Sequence, residues 1–264
     1  MTEKKHIDQM GREMMISYPP KRIISLVPSQ TELLHYFDLD NEVVGITKFC
    51  VHPEAWFRTK KRIGGTKKVN HAQIKSLNPD LIIANKEENT LEDIQKLEKD
   101  YPVWISDIKS FEDALQMINA LGIILNRQSK SQELTASLRL SFSQITLPAI
   151  RKKVLYLIWK KPFMAAGRDT FINEMLSISG FENAINDTSS RYPSLSEDEI
   201  HALNPDLLFL SSEPFPFAQF HVEQFQHLFT SSKTIIVDGE LFSWYGSRLL
   251  KAPAYFEKLK TVIE

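Results

Sequence analysis

Cysteine is nearly absent. Cys50 is the one thiol in 264 residues, which excludes an internal disulfide framework and any zinc site built on several cysteines. Glycine is scarce too: the nine present are about half the usual share, so glycine-rich phosphate cradles are not expected. No apolar run approaches the ~20 residues that span a bilayer; the longest covers residues 154–159. Charge of one sign is also missing, with 32 Lys+Arg against 33 Asp+Glu and a net charge of −1. So even a balance argues against nucleic-acid binding by bulk charge, and no nucleic-acid partner is expected. Residues 1–10 show neither an apolar stretch nor a small-residue cleavage site, so the chain as written is expected to be cytoplasmic, and periplasmic only if a leader was removed. Enzyme signatures are lacking as well: there is no G-x-G-x-x-G, P-loop, G-x-S-x-G elbow or H-E-x-x-H, which tilts the reading towards binding without turnover.

What is present is an ordinary globular composition, 42% hydrophobic and 25% charged, with enough chain to bury two cores. A repeat organises it. Ser76-Leu77-Asn78-Pro79-Asp80-Leu81-Ile82-Ile83 lies over Ala202-Leu203-Asn204-Pro205-Asp206-Leu207-Leu208-Phe209 at an offset of 126, and Glu87 falls over Glu213. In each copy a short amphipathic helix stops before Asn-Pro, where proline forbids continuation, and the following apolar run reads as a buried parallel strand. Looser pairs match Arg22-Ile23-Ile24-Ser25-Leu26 with Lys153-Val154-Leu155-Tyr156-Leu157, and Pro102-Val103-Trp104-Ile105 with Lys233-Thr234-Ile235-Ile236. Between the copies, Leu134, Leu138, Phe142 and Ile145 recur at helical spacing up to Pro148. The predicted fold is therefore α/β. An N-terminal β/α lobe (1–126) is joined by one long helix (127–147, about 30 Å) to a C-terminal lobe (148–264). Both lobes are Rossmann-like, and a ligand is expected in the cleft beyond the strands' carboxyl ends.

The predicted strand-end loops are rich in aromatic and cationic groups. Phe49, Trp56 and Lys67 fall in the first lobe, and Trp159, Phe163, Arg168, Tyr192, Trp244, Tyr245 and Arg248 in the second. Rigid aromatics give contact area at low entropic cost, and Lys or Arg can hold acidic edges, which suits a flat amphipathic macrocycle with polar arms. Trp244 and Phe163 are the foremost candidates for stacking. Cys50 and His52, two residues apart, offer soft or borderline donors that could cap an open axial position on a chelated metal; the alternatives are a buried thiol and a solvated imidazole. Glu87 and Glu213 either receive amides and cations of a ligand or cap the helices that follow them. Asp169-Thr170 reads as a helix N-cap.

Several strings together resemble the helical-backbone (class III) substrate-binding proteins, the cobalamin, iron-siderophore and haem receptors of ABC importers. They are Arg22-Ile23-Ile24-Ser25-Leu26-Val27-Pro28-Ser29-Gln30-Thr31-Glu32, Cys50-Val51-His52-Pro53, Gly64-Gly65-Thr66-Lys67, Glu87-Glu88-Asn89, Gly167-Arg168-Asp169-Thr170 and Trp244-Tyr245-Gly246-Ser247-Arg248. The similarity is greatest to the cobalamin branch, and within it to members without a signal peptide described as helical-backbone metal receptors. The resemblance implies a non-catalytic, monomeric binder of a corrinoid, haem or iron chelate, held as ligand and not as catalytic cofactor. Two other functions stay open: an enzyme acting on such a ligand through Cys50/His52 or Glu87/Glu213, and a regulatory or scaffold module on the same fold. Relatives dock onto a permease through one acidic residue per lobe. Here the corresponding positions are Ala72 and Asp198, so one anchor is missing and dependence on a permease is not expected.

Overall fold

The computed structural model describes residues 2–263. Its elements in chain order begin with β1 (Thr2–Ile7), β2 (Glu13–Tyr18), β3 (Ile23–Ser25), α1 (Pro28–Tyr36), β4 (Val43–Ile46), α2 (Glu54–Thr59), β5 (Lys61–Arg62) and α3 (His71–Leu77). There follow β6 (Leu81–Asn85), α4 (Leu91–Leu97), β7 (Val103–Ser106), α5 (Phe111–Ile124), α6 (Gln128–Ser143), β8 (Lys153–Trp159), β9 (Phe163–Ala165) and α7 (Phe171–Ile178). The chain then runs through β10 (Glu182–Asn183), β11 (Ser194–Leu195), α8 (Glu197–Leu203), β12 (Leu207–Ser211), α9 (Gln219–Leu228), β13 (Lys233–Val237), α10 (Gly239–Ser243) and α11 (Ala252–Ile263).

Contacts divide the chain into two compact units. The first holds residues up to Ile108, Glu112–Arg139 and Tyr245–Arg248; the second holds Lys109–Phe111, Leu140–Trp244 and Leu249 onward. The first unit carries a parallel sheet ordered β5-β4-β3-β6-β7. The second carries β11-β9-β8-β12-β13 with β10 also on β8, where β8, β12 and β13 are parallel. The central strands β6 and β12 are buried at every residue, as expected for strands covered on both faces.

The repeated Leu-Asn-Pro-Asp performs the same task in each unit. Asn78 and Asn204 end α3 and α8 in the left-handed region, at φ 43° and 44°, a conformation that asparagine tolerates better than most residues. The next residue, proline, cannot resume the helix. The aspartate then fixes the start of the neighbouring strand: Asp80 accepts from Lys21 and Arg22 backbone N–H at 2.6 and 2.8 Å, and Asp206 from Lys153 N–H at 2.7 Å.

One expectation changes in detail. Leu134 and Leu138 are fully buried, but α6 ends at Ser143 and not at residue 147. The last turn tightens, with Gln144 and Ile145 N–H donating three residues back to Ser141 and Phe142; Thr146-Leu147 then stand before Pro148, which disfavours helical backbone just ahead of it. Helix α5 lies close against α6, since a Cβ on Gly122 would fall 2.1 Å from Ser131 Oγ. At the N-terminus the chain forms the β1–β2 hairpin, an element with no forerunner in the sequence pattern. Its turn closes on the Asp8 carboxylate, which accepts from Met10 and Arg12 N–H at 2.9 and 3.0 Å. The same turn covers the open edge of β7, with Gln9 N–H to Ile105 O at 3.1 Å and Arg12 Nη2 to Val103 O at 3.0 Å. An edge strand so covered cannot pair with another chain.

Candidate functional site

In the first unit the carboxyl ends of the strands form a buried polar layer. Ser25, Thr47, Asn85 and Ser106 end or follow β3, β4, β6 and β7, and each is at most 3% exposed. Burial at this cost requires partners, and they are present. Asn85 Nδ2 donates to Ser106 Oγ at 3.0 Å, Gln30 Nε2 donates to the same oxygen at 2.5 Å, and Thr31 Oγ1 donates to Ser25 Oγ at 2.8 Å. The other end of Asn85 turns the chain: its Oδ1 accepts from Glu87 and Glu88 N–H at 2.8 and 3.0 Å. Lys67, exposed on its loop, donates to the Glu87 carbonyl at 2.5 Å.

Cys50 belongs to this layer and not to a metal site. Its thiol is fully buried, 3.1 Å from both Thr31 Oγ1 and Thr47 Oγ1. Burial raises its pKa, against the weaker opposing pull of the threonine hydrogen bonds, so the thiolate a metal needs is disfavoured. His52 is half-buried on the following loop, and no group of three or more metal-ligating side chains forms among the described residues. Burial corrects Cys50 alone, which is the buried thiol of the two alternatives. Phe49, by contrast, is 51% exposed.

The C-terminal trio is also placed differently from expectation. Arg248 makes a two-pronged ion pair with Glu32 of α1, Nε to Oε2 at 2.7 Å and Nη2 to Oε1 at 2.9 Å, and its guanidinium is thereby committed. Tyr245 is buried, and its hydroxyl pKa is pushed well up, by burial first and by the Glu88 charge second. Trp244 is 7% exposed, and its Nε1–H donates to Glu213 Oε1 at 2.8 Å. Glu213 thus neither lies open nor caps α9, and α4, which follows Glu87, is capped by Thr90. Thr170 caps α7 as expected.

The second unit keeps an open aromatic face at the carboxyl end of β8. Trp159 is 39% exposed and is braced edge-on by Phe215 at 5.4 Å. Phe215 meets Phe217 at 4.7 Å, and the half-buried Phe163 meets Phe225 at 5.4 Å. Arg168 is exposed, with its Nε reaching Ile185 O at 3.3 Å; Tyr192 is half-buried nearby in sequence to the strand β11 that pairs with β9. Phe215 was missed in sequence because its role depends on a partner 56 residues away.

Glu88 was also passed over, although it adjoins Glu87. Burial lifts its carboxyl pKa, Lys67 pulling it down less strongly and Glu87 adding to the rise. A carboxyl whose pKa is raised on folding holds its proton more tightly when folded, so its effect on stability turns unfavourable as pH rises from the ordinary carboxylate range through the raised value. Glu88→Gln should therefore raise the melting temperature at pH 7 and leave it nearly unchanged at about pH 4, near the ordinary glutamate range. Scanning fluorimetry across pH checks this, and a lowered melting temperature at pH 7 would contradict it.

Comparison with known proteins agrees with this geometry. Residues 23–231 match the periplasmic binding protein family. A substrate-binding lipoprotein of an ABC transporter from Bacillus subtilis is 28% identical over 212 residues, 76% of this chain and 67% of that protein. A vitamin B12-binding protein of Vibrio parahaemolyticus is 25% identical over 207 residues, 75% of this chain and 73% of that protein. Among solved structures, the periplasmic vitamin B12-binding protein of Vibrio cholerae superposes with a TM-score of 0.76 at 20% identity, covering 93% of this chain and 98% of that one. The haem-binding protein BhuT with two haems gives 0.79 at 19%, covering 92% and 99%. The expected cytoplasmic location is overturned, because the matched family and relatives are periplasmic proteins or lipoproteins; the opening residues form strand β1 and carry no information on compartment. The enzymatic alternative falls with it. The chain is a member of the periplasmic binding protein family, a non-catalytic substrate-binding protein of the class III fold.

Proposed function

We propose that this protein is the receptor of an ABC importer for a corrinoid or closely related metal chelate, and that the aromatic face of the second unit takes the macrocycle. The observation that carries this reading is Trp159, a large indole left 39% exposed yet held edge-on by Phe215. A rigid, preorganised aromatic surface of that kind suits a flat, amphipathic ring. Phe163, at the start of the strand β9 that pairs with the end of β8, adds a second ring, and the exposed Arg168 is assigned to carboxylate or amide arms of the ligand. In the first unit Phe49 and Lys67 are exposed. Relatives named for vitamin B12 and haem support the chelate class.

The expectation of independence from a permease is set aside, because the similar proteins include a substrate-binding lipoprotein of an ABC transporter; the permease partner is then recognised chiefly through the second unit. Glu197 and Asp198 are exposed at the start of α8, while Glu199 is taken up by the cap on Ser196. The matching turn of α3 presents His71 and Ala72, with no carboxylate. Titration of the full chain with hydroxocobalamin and, separately, with haemin, followed by visible absorbance and calorimetry, tests the ligand assignment. One-to-one binding of the corrinoid is expected. Absence of binding to either chelate would overturn it.

A further inference from the structure

The carboxylate of Glu213 makes two hydrogen bonds within its own unit. Its Oε1 accepts two hydrogen bonds at 2.8 Å, one from Ser243 Oγ and one from Trp244 Nε1. An indole N–H only donates, and once buried it requires an acceptor. Helix α10 is built around this contact. A Cβ on Gly239, its first residue, would stand 2.8 Å from Glu213 Cγ and 2.3 Å from Ser211 Oγ, so only glycine lets the helix approach this closely. Gly239 N–H donates to Ser212 Oγ at 2.9 Å. On the other side, Tyr156 of β8 donates to Ser211 Oγ at 3.1 Å, and that hydroxyl donates to the Glu213 carbonyl at 2.5 Å. The loop after β12 is thereby fastened to β8 and to α10, and two residues further on it delivers Phe215, the ring that braces Trp159.

We infer that Glu213 is a positioning residue: it fixes Trp244 and the loop bearing Phe215, and through them the Trp159 face, without touching the ligand itself. The inference rests on the reading that this face receives the chelate, and the two can fail separately. In the uniformly 15N-labelled full chain, the Trp244 indole N–H resonance is assigned by its loss in Trp244→Phe. Glu213→Ala should shift that resonance and speed its hydrogen exchange by about tenfold, the scale of one lost charge-assisted hydrogen bond. Hydroxocobalamin affinity should weaken by a similar factor. Glu213→Gln keeps an oxygen that accepts both bonds, so it should return exchange and affinity to within about threefold of the parent. It also keeps the test open should Glu213→Ala fold poorly. An indole resonance unmoved in Glu213→Ala would overturn the positioning role; an equal loss of affinity in Glu213→Gln would overturn it too, and make Glu213 a direct contact. A parent protein that binds no chelate would defeat the receptor reading, while the indole resonance would still decide whether Glu213 holds Trp244.

Discussion

Replacing Arg248 with methionine should lower the stability of the first unit by about 3 kcal/mol, as expected when one partner of a shielded, hydrogen-bonded ion pair is removed. The Arg248 side chain is 9% exposed and that of Glu32 is 17% exposed, so the stranded carboxylate would be only partly rehydrated. The pair is bidentate, and its geometry suits arginine alone; lysine would keep the charge and lose one of the two bonds. Glu32→Gln should cost a comparable amount, and the double variant should cost less than the sum of the two, because each single change destroys the same interaction. Urea denaturation combined with hydrogen exchange at α1 and Tyr245–Arg248 measures this. Additive losses would mean that the two groups do not depend on each other.

The second large effect concerns binding. Trp159→Ala with Phe163→Ala should weaken hydroxocobalamin affinity by about a hundredfold, or 2–3 kcal/mol, in line with two aromatic anchors of unequal exposure. Trp159→Ala should account for most of it. Phe163 is half-buried against Phe225 and part of its truncation will be felt in the fold. Leu140→Ala, at a position 64% exposed on α6, should leave affinity unchanged. Calorimetric titration of the three variants decides the matter; unchanged affinity in the double variant would remove the aromatic face from the ligand site.

Legibility in the sequence followed the range of the interaction. The Leu77-Asn78-Pro79-Asp80 and Leu203-Asn204-Pro205-Asp206 strings were readable because helix stop, left-handed asparagine and buried strand are all local, and their period exposed two related units. The α6 stripe was readable for the same reason, although its end was set by tightening ahead of Pro148. Glu32 and Arg248 lie 216 residues apart, and no local pattern announces such a pair. Trp244 likewise read as a free aromatic, since its acceptor, Glu213, is 31 residues away. Cys50 read as a donor because His52 lies two residues further along the sequence, whereas its neighbours in space are Thr31 and Thr47. The hairpin was missed because β1 is exposed at five of its six residues and shows no apolar alternation; residues 8–11, an aspartate followed three residues later by glycine, were the one turn signal available.

The central claim is that this chain receives a metal-chelating macrocycle. The most direct measurement is native mass spectrometry of the protein isolated from its own host, with metal analysis and an absorption spectrum of the same sample. The account predicts one corrinoid or closely related chelate per chain, released on denaturation and carrying a visible absorption band. A colourless protein holding a metal-free solute in that place would contradict it.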